Sequence, residues 1–389
     1  MTTVDFLVIG GGVAGLSAAA RLAQHGRVVV IEAEEALGYH SSGRSVSFSH
    51  YGIGDAAVRG LTAYSRSFYE DQPEGFCPTP LCRVMPSLYI ATDEMLPQLE
   101  ALYQGMSVFT DAIEWVGEAE MAALCPALRT GREGAVRGIL DTSGLKLDSD
   151  ALLQSFAKAL RVAGGELLQG RRVASIQRQG QDWHVRSETG ESWTAPVLVN
   201  AAGAWADRIA AMAGVEPLGL KPMRRTIIVV DPPAGMDVHD WPFLHTAASD
   251  FYMLPEAGQL LASPVDEVPD DPCDAQPEEY DIALAADRLQ HYTTLSVSRI
   301  AHRWAGLRSF VSDRVPTAGF APDAPGFFWL AGQGGYGLQT APAMAEIVEI
   351  LATGGDWPKG LTDLGVAPET VRPERLFAQP KHSPAVRTG

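Results

Sequence analysis

An apolar run, Phe6-Leu7-Val8-Ile9, passes without a break into Gly10-Gly11-Gly12-Val13-Ala14-Gly15. From Leu16 to His25 the apolar spacing is helical and stops at Gly26; Val28-Val29-Val30-Ile31 then reads as a second buried strand, closed by Glu32. Strand, glycine turn, helix and strand in this order predict a βαβ unit built to hold a dinucleotide. Gly10 permits the tight turn, Gly12 lets a pyrophosphate approach the backbone, and Gly15 lets the helix pack closely on its strand. The helix start at Val13 and Ala14 aims free N–H groups and a positive dipole end at the phosphates. Glu32, twenty residues after Gly12 and followed by Ala33, is placed to accept hydrogen bonds from ribose hydroxyls. That carboxylate predicts FAD or NAD rather than NADP.

The rest of the chain must complete such a body. Its 389 residues, 46% hydrophobic and 20% charged, suit two or three domains or one large interleaved α/β body. A net charge of −17 argues against nucleic-acid binding and against docking on an anionic membrane. No apolar run approaches the roughly 20 residues of a membrane span, and the start of the chain does not read as a signal peptide. Cys77, Cys82, Cys125 and Cys273 form neither a disulfide framework nor a CxxC metal or redox site. We therefore expect a cytoplasmic protein without a metal centre. Asp266, Glu267, Asp270, Asp271, Asp274, Glu278, Glu279 and Asp281 fall in one stretch broken by Pro264, Pro269, Pro272 and Pro277. That stretch reads as a solvated acidic loop, away from every cofactor motif.

Three further segments favour FAD over NAD. Tyr39-His40-Ser41-Ser42-Gly43-Arg44-Ser45 is a small, hydroxyl-rich loop that offers donors to a pyrophosphate and leaves room for an isoalloxazine ring. Pro196 to Asn200 is a buried strand running into Ala201-Ala202-Gly203-Ala204-Trp205, whose small residues admit close approach to the backbone. Phe327 to Ala331 is another strand, followed by Gly332-Gln333-Gly334-Gly335-Tyr336-Gly337 and a helix expected from about Gln339 to Leu351. That helix start can stabilise negative charge on a reduced flavin.

The N-terminal fingerprint, Asn200–Trp205, Trp304-Ala-Gly-Leu-Arg308 and Gly332–Gln339 together resemble the FAD-dependent D-amino acid oxidase/glycine oxidase/sarcosine oxidase superfamily. Within it, Gly38–Ser45, Val197–Trp205, His239-Asp-Trp-Pro242 and Ala331–Gln339 are most similar to the bacterial FAD-dependent D-arginine dehydrogenases. The resemblance implies a Rossmann-like α/β FAD-binding domain (1–76, 145–217 and 300–389) interleaved with an α+β substrate domain on an antiparallel sheet (77–144 and 218–299). It implies FAD contacts from Val173, Ala202, Gly203, Trp205, Gly306, Gly332, Gly334, Gly335, Tyr336, Gly337, Leu338, Gln339 and Thr340, besides the N-terminal motifs. No Cys lies between Trp304 and Phe310, so the FAD is expected to be non-covalent.

For the substrate, the resemblance implies a carboxylate clamp of Arg308 with one of Arg224 and Arg225. Strand neighbours face opposite ways, so only one of the pair can reach the pocket, and the resemblance favours Arg225. It adds Tyr252 at the carboxylate, and Gly335 and the Gln339 side chain near the amine. Ser87 stands where D-arginine enzymes carry the acid that binds the guanidinium. Ile53 replaces a tyrosine and Phe48 a histidine of the lid-like loop, leaving His50 and Tyr51 as polar substitutes. A guanidinium buried without a carboxylate loses several kcal/mol of hydration, so the expected substrate is a D-amino acid with a neutral side chain. Hydride transfer from Cα to flavin N5 would give an imino acid, with a quinone, a dye-like carrier or O2 as acceptor and with no histidine assigned as general base. The alternatives are an O2-dependent oxidase of glycine, sarcosine or another secondary amine, a 2-hydroxy acid oxidoreductase, and a non-catalytic dinucleotide-binding module.

Overall fold

The computed structural model describes residues 2–377. Its first sheet has six strands in the order Glu166–Leu168, Val28–Ile31, Phe6–Ile9, Val197–Asn200, Phe327–Ala331 and Thr317–Phe320. All pairs are parallel except the last. Both faces are covered, which is why the strands are apolar throughout rather than alternating. Phe6, Val8, Val28 and Val30 pack against the helices Val13–Leu22, Ser149–Val162 and Gly337–Thr353. Leu7, Ile9, Val29 and Ile31 pack against Trp183 and Trp193 of a four-stranded sheet and against the helix Ala206–Ala213. The helices Val13–Leu22 and Gly337–Thr353 each begin a little ahead of the apolar spacing, with Gly12 and Tyr336 in the N-cap positions.

The second sheet is large and mainly antiparallel. Its order is Val268–Pro269, Lys221–Val230, Gln259–Ser263, Tyr252–Glu256, Phe243–Thr246, Ser87–Ala91, Arg137–Asp141 and Ile113–Val116. One pair is parallel, Phe243–Thr246 with Ser87–Ala91. The strand His302–Phe310 also joins this sheet, in register with Lys221–Val230 from Lys221↔Phe310 to Val229↔His302. It lies in the stretch that the sequence reading gave to the cofactor domain. Antiparallel pairing with a distant strand leaves no trace in local spacing.

Alternation divides the second sheet. Leu88, Ile90, Ile228, Leu244 and Met253 face the helix Glu279–Tyr292, meeting its Ile282, Ala285 and Leu289. Ile227, Val229, Phe243, Tyr252 and Leu254 face the other way, toward Val46 and Phe48 of the cofactor loop region. This second face carries the site.

Candidate active site

A cavity of about 400 Å³, partly open to solvent, lies between the two sheets. One end is walled by Glu32, Ala33 and Val173, the other by Arg225, Gly306, Arg308, Gly334 and Gly335. Gly10 has φ +116°, and a Cβ on it would meet the Ala201 carbonyl oxygen at 2.4 Å. A Cβ on Gly15 would lie 2.0 Å from the Gly10 oxygen. At Gly12 the space is nearly open, as a pyrophosphate requires. The Val13 N–H donates to Ser42 Oγ at 3.0 Å, so a hydroxyl shares the helix start with the phosphate site. Glu32 accepts from the N–H groups of Gly11 and Glu34 while its side chain lines the cavity. Each carboxylate oxygen keeps a second lone pair for a ribose hydroxyl. These residues fit FAD.

Of the residues expected at the cofactor, Gly15, Gly43, Tyr336, Gln339 and Thr340 do not line this cavity, while all the others do. Gly15 and Gly43 are packing glycines, the second with its N–H on the Gly38 oxygen. Tyr336 donates its hydroxyl to the Arg314 carbonyl, and Thr340 donates to Tyr336 O at 2.9 Å. The expected polar role of Gln339 at the substrate amine is corrected. Its amide is buried against the His50 backbone and donates to Thr62 Oγ1 at 2.6 Å. Arg171, Arg172 and Arg208 also line the cavity and escaped the sequence reading. Only the adjacent Arg171-Arg172 pair just before Val173 offered a signal.

Arg44 is the second correction. It lines the cavity with its stem beside Gly306, but its guanidinium donates to the carbonyls of Tyr39, Ala275 and Ala305 and to Asp274 Oδ1. It clasps the cofactor loop to the acidic segment instead of facing a pyrophosphate. That segment is likewise no free loop remote from the cofactor. Asp270, Glu278 and buried Asp281 surround Arg224 at 3.2, 2.8 and 3.2 Å, while Asp266 and Glu267 flank Arg225.

Arg224 and Arg225 face opposite sides of their strand. Arg224 reaches the helix Glu279–Tyr292, and Arg225 lines the cavity. Arg225 is buried, donates from Nε to the Asp266 carbonyl at 2.8 Å, and pairs diagonally with Arg308 across the Gly306 register. Burial first, and then the Arg308 charge, lower its pKa to about 10, so it remains cationic at neutral pH. The Arg308 guanidinium makes no hydrogen bond or ion pair with any described residue, and the side chain lies against Gly335, where a Cβ would come 3.3 Å from Arg308 Cδ. Ile53 Cδ1 closes the same corner at 3.5 Å from that position. Two guanidiniums held this close, one without a partner, form a site for a small anion such as a carboxylate.

Beyond the clamp the sheet face turns aromatic. Tyr252 is buried beside Arg225, and its hydroxyl has no partner. His245 stands directly opposite Tyr252 in register. Phe243, with Phe48 packed on it at 4.4 Å between centroids, fills the face between Tyr252 and Ser87. Ser87 is fully buried under these rings. The structure adds a carboxylate the sequence reading missed, since Asp141 lies directly opposite Ser87 on the neighbouring strand. Asp141 Oδ1 accepts from the Ser143 N–H and hydroxyl, and burial pushes its pKa up. His50 bonds through Nδ1 to the Tyr89 hydroxyl at 2.7 Å, and burial, with the Arg59 charge, pushes its pKa down to about 3. Among the described residues no group of His, Cys, Asp and Glu could hold a metal, and no helix is long and apolar enough to cross a membrane.

The chain belongs to the FAD dependent oxidoreductase family known as DAO, whose model matches residues 5–349. It is 25% identical over 223 residues to L-2-hydroxyglutarate dehydrogenase of Escherichia coli K12, covering 55% of this chain and 50% of that relative. The match thus spans half the relative's length. Glycine oxidase of Geobacillus kaustophilus is 24% identical over 273 residues, covering 68% of this chain and 69% of the relative. The solved L-proline dehydrogenase of P. horikoshii superposes with a TM-score of 0.83 at 20% identity, over 97% of this chain and 98% of its own. The chain therefore has this family's fold, as the sequence motifs implied.

Proposed function

We propose that the chain oxidises a D-amino acid with a short, uncharged side chain to an imino acid, which water converts to a 2-oxo acid and ammonia. The observation that carries this reading is Arg308, a guanidinium without a protein partner beside buried Arg225 at the glycine-rich end of the cavity. Non-covalently bound FAD would accept the hydride that leaves Cα. The chain's own residues hold the substrate. Arg308 and Arg225 fix the carboxylate bidentately, and the Tyr252 hydroxyl adds a third donor. The Gly335 carbonyl, beside Arg308 and Ile53, accepts from the neutral amine. The packed rings of Phe48 and Phe243 lie between Tyr252 and Ser87, so a side chain extending from the clamp would have to be short, with Asp141 beyond the rings. The D configuration is supported by the likeness of Gly38–Ser45 and Ala331–Gln339 to D-arginine dehydrogenases. A non-catalytic nucleotide module would have no use for the unpaired arginine.

A 2-hydroxy acid is the second reading, favoured by the similarity to L-2-hydroxyglutarate dehydrogenase, and would use the same clamp. Anaerobic mixing of the purified holoenzyme with D-amino acids, L-amino acids, N-methyl amino acids and 2-hydroxy acids separates these readings by which class bleaches the flavin. Arg308→Ala should cut turnover by about a hundredfold or more while the visible flavin spectrum stays. Undiminished turnover in that variant would overturn the clamp. Re-oxidation by air against a quinone identifies the acceptor.

A further inference from the structure

We propose that His245 recognises the substrate side chain, and that this side chain carries a neutral hydrogen-bonding group, a hydroxyl or a carboxamide. This deepens the reading above and rests on it for the orientation of the substrate from the clamp outward.

Four buried polar atoms on one face of the large sheet lack any hydrogen-bond partner: Tyr252 OH, His245 Nε2, Ser87 Oγ and Asp141 Oδ2. Their strands run in order from the clamp to the far edge, and register puts all four side chains on the face that carries Arg225. A buried polar atom left unpaired costs about 1–3 kcal/mol, so the two on the clamp side of the Phe48–Phe243 stack, Tyr252 OH and His245 Nε2, mark a place for a polar ligand. Tyr252 is taken by the carboxylate. Ser87 and Asp141 sit beyond the Phe48–Phe243 stack. After Tyr252, His245 is thus the nearest unpaired group to the clamp along the face.

The surroundings of His245 define its chemistry. Its ring lies 4.1 Å from Phe243, 5.0 Å from His50, 5.6 Å from Tyr89 and 5.4 Å from Tyr252, centroid to centroid. It makes no hydrogen bond with any described residue. Burial, then His50, Arg225 and Arg308, hold its pKa well below the ordinary histidine value, so the imidazole is neutral. A neutral imidazole offers one donor and one acceptor, which matches a hydroxyl or a carboxamide. Neither ring nitrogen can be satisfied by a purely apolar side chain.

The test compares near-isosteric pairs on the holoenzyme by anaerobic flavin reduction: D-threonine against D-valine, D-serine against D-2-aminobutyrate, and D-asparagine against D-leucine. The polar member should be faster in kred/Kd by about ten- to a hundredfold. His245→Leu should bring each ratio close to one, whereas His245→Asn, which keeps a donor and an acceptor, should retain part of the preference. Apolar members that equal or beat their polar partners in the wild-type protein overturn the proposal, as do ratios unchanged in His245→Leu. If that variant fails to bind FAD, the wild-type and His245→Asn ratios decide. Running the same pairs as L-amino acids and as 2-hydroxy acids keeps two failures apart. A shift of all activity to another series refutes the D-amino acid reading, while the polar-to-apolar ratio within that series still judges His245.

Discussion

Arg224 and Arg225 show what a single position on a strand decides. One rotation of the chain sends the first guanidinium among three carboxylates and the second into the cavity. Arg225→Leu should therefore abolish turnover in folded, flavin-loaded protein, whereas Arg224→Leu should lower the urea midpoint and leave turnover per bound flavin near normal; the two assays read independently. Strand alternation foretold that only one of the two could face the pocket; that it would be Arg225 rested on the family resemblance. His245 could not. A lone histidine in Phe243-Leu-His-Thr246 carries no local signal, and only its register with Tyr252 brings it to the site. Buried His50 gives a pH prediction. Its native pKa of about 3 lies below its ordinary value of 6.5, so the unfolded chain binds the extra proton. Stability should hold above pH 6.5 and fall by several kcal/mol as the pH drops toward 3. His50→Phe should flatten that slope in urea titrations at pH 7, 5 and 4, at the cost of an unpaired Tyr89 hydroxyl at neutral pH. An equally steep slope in the variant refutes the assignment.

At the level of elements, the acidic segment was legible as charge and illegible as structure. Its composition and prolines spoke for a solvated loop, but its partners Arg44, Arg224, Arg225 and Arg314 come from distant parts of the chain. Tertiary pairing of this kind has no local pattern. Asp281→Asn, at the start of the helix Glu279–Tyr292, weakens a buried partner of Arg224 while Asp270 and Glu278 remain. We expect a loss of about 1–3 kcal/mol in chemical denaturation with flavin content unchanged. The helix Gly337–Thr353 offers a second case. Pro342 within it has no N–H for the Leu338 carbonyl, and the Tyr69 hydroxyl donates there instead. Ala343 N–H donates to Ser65 Oγ at 3.1 Å. Tyr69→Phe should cost about 1–3 kcal/mol and lower the melting temperature, because it orphans that carbonyl next to the glycine-rich loop.

Across the whole molecule, the ordered glycine motifs made the FAD fold readable, since each must sit at a strand end where backbone meets ligand. The division between the two sheets was readable only in part. His302–Phe310 lines the cavity at Gly306 and Arg308, while pairing throughout with Lys221–Val230. Both sheets thus wall one ligand cavity, so bound FAD should stabilise both together. Added FAD should raise the melting temperature of the apoprotein in a single transition, stabilising the folded protein by about 1.4 kcal/mol for each tenfold increase in FAD above its dissociation constant. Two separate transitions, only one of them responding to FAD, would show that the sheets unfold independently.

The row from Tyr252 through His245 and Phe243 to Ser87 lies on strands that take no part in the glycine motifs of the cofactor end. Beyond Tyr252, its residues can change one at a time while Arg225, Arg308 and Gly306 stay in place. A lineage built on this plan can retune the molecules it consumes through point changes on one sheet face, without rebuilding its redox machinery.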